Sequence, residues 1–386
     1  MYRTATPRAS ESAIPAEALL SSFVQAGYVH AEPPVLQPAE PFLDMSGEDI
    51  RRSLYLTTDA GGEELCLRPD LTIPVACDYL KSAQAGQAAG FCYLAPVFRY
   101  RAGRPSEFLQ AGVESFGRDD KAAADAEMLS LALKATETFG IRDIEIRTGD
   151  VALFTALIDA LNLYPVWKRR LLKDFNRKAN LAQDIEQMTL ASVTRPNEYA
   201  GVLAALAGSD RKAALALVAD LMSIAGASSL GGRDVSEIAD RFLEQSTLQG
   251  GAFPADALRL IQRFLAIGGE PDEALADLRA LTSDAGINLH PAIDQLESRI
   301  GFMAAHGIDT RSIRFSTSFG RGIDYYTGFE FELHAKSNVS GNGAEPLVAG
   351  GRYDGLMTQL GSPAPIPAVG FSIWVETLAQ ARGGAA

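Results

Sequence analysis

Four short stretches combine charged, hydroxyl, aromatic and glycine residues in ways that plain scaffold seldom requires. The first, Leu67-Arg68-Pro69-Asp70-Leu71-Thr72, sets a cation, an anion and a hydroxyl at the end of a predicted buried strand, where the proline fixes the turn. Alone, it would equally suit a surface turn with a salt bridge. The second runs Val97-Phe98-Arg99-Tyr100-Arg101, then a turn with Gly103 and Pro105, then Glu107 to Gly117. On extended backbone Gln110, Gly112 and Glu114 share one face, and Arg99 and Arg101 share another. An amide and a carboxylate beside a glycine suit a cationic amino group, with a solvated sheet face as the alternative. The third, Phe319-Gly320-Arg321-Gly322-Ile323-Asp324-Tyr325-Tyr326-Thr327-Gly328, flanks an arginine with glycines that let a ligand approach the backbone. Its two tyrosines supply rigid walls with polar ends. The fourth, Ala349 to Leu356 with Gly350-Gly351-Arg352-Tyr353 inside it, reads by itself as a glycine-rich turn between strands. No Lys-Ser/Thr follows the glycines, so it is not a phosphate loop.

Strands and helices must hold these stretches. Ala16, Leu19, Leu20 and Phe23 fall at helical spacing after a short tail, Gly27 ends that helix, and Pro33 to Leu36 reads as extended. Ser53–Thr57 and Glu64–Arg68 alternate as paired strands about the turn Asp59-Ala60-Gly61-Gly62. Gly90–Tyr100, Glu107–Gly117 and Ile144–Arg147 are further strands, with a helix over Asp125–Phe139. From residue 151 to 301 the texture becomes helical, with breaks at Pro165, Pro196, Gly226, Gly250-Gly251, Gly268-Gly269 and Pro291. Strands return at Arg314–Ser316, Phe329–Leu333 and Ala368–Ile373, and a helix over Ile373–Ala381 closes the chain. The pattern predicts an α+β class with a mostly antiparallel sheet flanked by helices. A discontinuous core domain (1–150 and 302–386) would carry an inserted, mainly helical region (151–301).

Composition narrows the function. The chain of 386 residues is 47% apolar and 22% charged, enough for a full core, and its net charge of −13 argues against a broad nucleic-acid-binding surface. Cys66, Cys77 and Cys92 lack paired spacing, so neither a disulfide framework nor a metal site follows. No basic leader precedes an apolar stretch, and no run of about 18 apolar residues occurs; a cytoplasmic protein is expected.

Taken together and in order, the four stretches resemble histidyl-tRNA synthetases over roughly residues 15–150 and 305–380. The Arg321–Gly328 segment is similar to that family's histidine-recognition signature, and Pro34-Val35-Leu36-Gln37 looks like its first class II motif. The resemblance implies a class II synthetase fold with six or seven antiparallel strands, dimerisation through the first motif, and a pocket for L-histidine. It assigns Asp70 and Thr72 to the α-amino group with Gln110 and Glu114 beside them, Arg99 and Arg321 to the carboxylate, and Tyr325 and Tyr326 to the imidazole.

Two positions depart from the family. Arg101 stands where the synthetases have glutamate, and Thr377 stands where their closing Gly-Leu-Glu-Arg has its phosphate-gripping arginine. Losing one such donor lowers a rate by about 10²–10³. Only Leu378 to Ala386 follow, where an anticodon-binding domain would be expected. These departures make the chain similar to the regulatory subunits of short-form ATP phosphoribosyltransferase. That resemblance implies no catalytic residues and no cofactor, and a homodimer that joins the catalytic subunit of ATP phosphoribosyltransferase in a hetero-oligomer. Binding of tRNA is not expected. The competing reading is a working histidyl-tRNA synthetase-like ligase.

Overall fold

A computed structural model describes residues 13–45, 51–177, 181–183, 185, 253–336 and 345–383. The expected tail before Ala13 and the breaks at Pro196, Gly226 and Gly250-Gly251 lie outside these residues. The chain forms two compact units, residues 1–154 with 265–386, and residues 155–264.

The first unit is built on β1 (Val29–His30), β5 (Ala89–Phe98), β6 (Glu107–Phe116), β7 (Ile144–Asp150), β8 (Gly268–Gly269), β9 (Ile313–Ser316), β10 (Phe329–Ala335), β11 (Val348–Arg352) and β12 (Ala368–Trp374). Their order across the sheet is β1-β5-β6-β12-β11-β10-β7-β9-β8. The central six, from β5 to β7, are antiparallel. The predicted antiparallel core is therefore present, but the sheet has nine strands among the described residues, because β1 and β9 add parallel neighbours and β8 an edge. A separate sheet joins β2 (Leu36–Pro38), β4 (Glu64–Leu67) and β3 (Leu56–Thr58). Its hairpin closes where the turn residues predict, with Asp59 Oδ1 accepting from the amides of Gly61 (2.8 Å) and Glu63 (2.9 Å).

Alternation along each strand divides the large sheet into two unlike faces. On one, Cys92, Ala111, Val113, Phe331, Leu333, Val348, Phe371 and Ile373 pack against Leu19 and Phe23 of the Ala13–Gln25 helix and Met128, Leu129 and Ala132 of the Lys121–Thr138 helix. The other face is polar in its middle, where alternation brings Gln110 and Glu114 of β6, Ser372 of β12 and Glu330 of β10 to the same side.

Four expectations are corrected. Gly350-Gly351 is no turn but the middle of β11, since a Cβ at Gly351 would come within 2.5 Å of the Phe329 carbonyl oxygen. Gly268–Gly269 pairs as a strand instead of breaking the chain, and the last helix starts at Val375 because Ile373 still belongs to β12. The Pro271–Ala285 and His290–Ala305 helices, expected in the insertion, belong to the first unit. Arg299 explains why. Its guanidinium is buried against Asp125 and Asp150, both contacts at 2.8 Å.

Of the second unit, the Pro165–Phe175 helix is described, and its Trp167 meets Phe253 edge-on at 5.3 Å. No helix among the described residues is long and apolar enough to cross a membrane.

Candidate functional site

Glu114 lies at the centre of the polar face, fully buried near the end of β6. Three hydroxyls from three different elements donate to it. Thr72, the first residue of the Thr72–Lys81 helix, donates to Oε1 at 2.7 Å, Tyr93 of β5 donates to the same oxygen at 3.0 Å, and Tyr353 donates to Oε2. The carboxylate fits only because its neighbour on β12 is Gly370, where a Cβ would lie 1.8 Å from Oε2. Burial pushes the Glu114 pKa up to about 7 against the opposing pull of the three hydroxyls. Among the described residues no arginine or lysine pairs with it.

The Arg68-Pro69-Asp70 turn docks on this centre. Arg68 is buried and donates to the carbonyls of Pro33 and Pro96, so it is a brace and not part of a surface salt bridge. Gln110 Oε1 accepts the Leu71 amide at 3.0 Å, tying the helix start to β6. Asp70 accepts from the Ile73 amide at 3.3 Å; burial raises its pKa, and Arg99 opposes the rise. Arg99 donates from Nε to the Pro69 carbonyl at 2.6 Å. Arg101 does not share its face as predicted. β5 ends at Phe98, the chain turns, and Arg101 lies over the Phe108 ring at 3.9 Å with its Nη2 on Pro105 O at 2.8 Å.

Arg321 closes the other side. Its Nη1 donates to Tyr326 Oη at 2.8 Å, its Nε to Glu332 at 3.2 Å, and its amide to Glu330 at 3.0 Å. Tyr325 packs on Tyr326 at 5.2 Å and edge-on to Tyr353 at 5.9 Å.

All eight predicted residues (Asp70, Thr72, Arg99, Gln110, Glu114, Arg321, Tyr325 and Tyr326) line one cavity of about 60 Å³. That volume holds a few waters. The walls bond to one another, so an amino acid would have to part them. The arrangement offers carboxylates for a cation, two arginines for an anion and aromatic rings for a flat group. Arg101 and Thr377 are not among its lining residues. Sequence reasoning missed Tyr353, Ser372 and Trp374 in the wall, and Tyr93 behind it. Tyr353 could have been found from its place directly after Gly350-Gly351-Arg352; Tyr93 sits in an apolar strand context with no local signal.

Comparison with known proteins agrees with this geometry. The histidyl-tRNA synthetase family model matches residues 5–242 and 232–378. The chain is 39% identical over 355 residues to the ATP phosphoribosyltransferase regulatory subunit of Brucella anthropi, covering 91% of this chain and 93% of that one. The Brucella canis protein of the same name is 39% identical over 356 residues, covering 92% and 93%. Among solved structures, an ATP phosphoribosyltransferase regulatory subunit/histidyl-tRNA synthetase from Bacillus halodurans C superposes with a TM-score of 0.68 at 21% identity, over 98% of this chain and 81% of that one. A histidine–tRNA ligase subunit from Alicyclobacillus acidocaldarius gives 0.60 at 24% identity, over 100% and 96%. At these identities the structures speak for the fold.

Proposed function

Since the chain belongs to the family of ATP phosphoribosyltransferase regulatory subunits, built on a histidyl-tRNA synthetase-like fold, we propose that it activates a separate short catalytic chain and carries the histidine that shuts that chain down. The observation that carries this reading is the Glu114 centre. A buried carboxylate held only by neutral hydroxyls has no countercharge of its own, and a cationic ligand would supply it, while Arg99 and Arg321 across the cavity suit the ligand's carboxylate. An α-amino acid with a flat side chain fits that pattern, and Tyr325 and Tyr326 give the imidazole its walls. A pocket built to hydrogen-bond a ligand NH rejects analogues lacking it by up to about 10⁴. The phosphoribosyl chemistry belongs to the partner chain, and tRNA has no part in this reading.

The working unit is a homodimer inside a cytoplasmic hetero-oligomer. Val29, Val35, Leu36 and Leu56 are 60%, 39%, 51% and 50% exposed around β1 and the small sheet. A stable interface there would bury upwards of about 2,000 Å². Sedimentation of the pure chain as a monomer at micromolar concentration would rule the dimer out. The main test adds the chain to purified catalytic subunit and titrates L-histidine. Activity should depend on the chain and fall with histidine, and calorimetry should show histidine binding to the chain alone.

A further inference from the structure

Glu330 takes no part in the cavity wall, yet it is as fully buried as Glu114 within it. It is fully buried in β10, between Gly149 of β7 and Gly351 of β11 in strict register. Those two glycines let the 319–328 segment settle directly on the sheet. A Cβ at Gly149 would lie 2.7 Å from Phe319 Cβ, and one at Gly351 2.9 Å from Tyr326 Cε1. Into this close contact Glu330 projects one oxygen that accepts the Arg321 amide at 3.0 Å. Its other oxygen, Oε1, has no partner among the described residues. Buried polar atoms are rarely left so, and an exception calls for a reason.

We propose that Glu330 is a positioning residue: it pins the 319–328 segment to the sheet through the Arg321 amide and so holds Arg321, Tyr325 and Tyr326 ready for the ligand. The consequence for binding rests on the reading of the cavity as a histidine site; the pinning itself does not.

The groups facing Glu330 fix its charge state. From the overlying segment come Arg321 and Tyr326, from its own strand Glu332, and from the end of β7 Asp150. Arg321 directs its guanidinium to Glu332 and Tyr326, leaving only its backbone N–H for Glu330. Burial pushes the Glu330 pKa up to about 8, with Asp150 and Glu332 adding to the rise and Arg321 opposing it. At neutral pH Glu330 is mostly a neutral carboxyl, which accepts the amide without adding negative charge beside a site for a carboxylate. Above pH 8 it ionises next to Glu332, and an anionic ligand group is repelled.

Two measurements on the full chain test this. Hydrogen exchange of the 319–328 segment, without ligand, should quicken at least about tenfold in Glu330→Ala and stay at the wild-type rate in Glu330→Gln, which keeps the acceptor. Calorimetric titration with L-histidine from pH 6.5 to 9 should show Glu330→Ala weakened about tenfold or more at pH 7 and Glu330→Gln within about twofold of wild type. The ratio of wild-type to Glu330→Gln affinity should fall above pH 8, which removes the ligand's own titration from the comparison. Unchanged exchange in Glu330→Ala, or a wild-type pH profile in Glu330→Gln, would overturn the proposal. If the wild type binds no histidine, the pocket reading fails, and the exchange result still decides whether Glu330 positions the segment.

Discussion

Two buried clusters of charge in the first unit treat their carboxylates in opposite ways. Asp125, fully buried in the Lys121–Thr138 helix, is gripped by Arg352 at 2.6 Å and Arg299 at 2.8 Å, and Arg299 also binds Asp150 at 2.8 Å. Arg352 further meets Asp354 at 2.9 Å, and that carboxylate pairs with Lys121 at 2.7 Å. Every charge there is answered by another of this chain. Glu114, equally buried, receives three hydroxyls and, among the described residues, no cation. Self-neutralised charge is scaffold. Charge solvated by neutral donors, with no countercharge among the described residues, is what the proposed ligand site calls for.

The scaffold side of this contrast should give the largest effect. Arg299→Met leaves Asp150 without its arginine and Asp125 with Arg352 alone, and removing one partner of such a network costs about 3–5 kcal/mol. Urea unfolding is expected to show that loss, while the folded protein keeps its histidine affinity. A histidine defect as large as the stability defect would erase the distinction between the two clusters.

The site side is expected to cost stability instead of adding it. Burial raises the Glu114 pKa from 4.5 to about 7, so between those values the folded state holds more protons than the unfolded state. Stability therefore falls as pH rises through that window, by on the order of 3 kcal/mol, and the cost is absent below about 4.5. In Glu114→Gln this part of the slope should vanish and the protein at pH 7.5 should be no less stable than wild type. Thermal melts from pH 4.5 to 8 read it directly. A variant that is destabilised at pH 7.5 would mean that Glu114 is scaffold as well.

The smallest effect concerns one of the three donors. Tyr93→Phe removes a hydrogen bond worth about 1.5–3 kcal/mol to the ionised form. The Glu114 pKa should rise further and histidine binding at pH 7 weaken about fivefold or more by calorimetry, recovering as the pH is raised. A pH-independent loss would assign Tyr93 to packing alone.

How much of this was legible in the sequence follows the range of each interaction. The β3–β4 hairpin, the β5 and β6 strands and the Lys121–Thr138 helix are set by local turns and periodicity, and they were readable. β11 was not, because glycines weaken strands in general; here Gly351 is required by the Phe329 carbonyl and Tyr326, and Gly350 by the Gly370 carbonyl and Phe371, which no local pattern reveals. The helices over residues 271–305 have the same Ala- and Leu-rich texture as the insertion, and only the long-range pairing of Arg299 with Asp125 and Asp150 assigns them to the first unit. The pocket residues were readable as motifs. The hydroxyl cage was not, since Thr72, Tyr93 and Tyr353 are far apart in sequence and meet only at Glu114. Arg101 looked equivalent to Arg99 by alternation, until the strand proved to end at Phe98.

The central claim, that regulation acts through the Glu114 cavity, is tested most directly by a histidine titration of ATP phosphoribosyltransferase activity in the reconstituted complex, comparing wild type with Glu114→Gln. Truncating one partner of a buried charge pair typically costs about 2–5 kcal/mol. The inhibition midpoint is therefore expected to rise by at least about thirtyfold while activity without histidine stays at the wild-type level. An unchanged midpoint in Glu114→Gln would show that the inhibitory histidine binds elsewhere and would contradict the account.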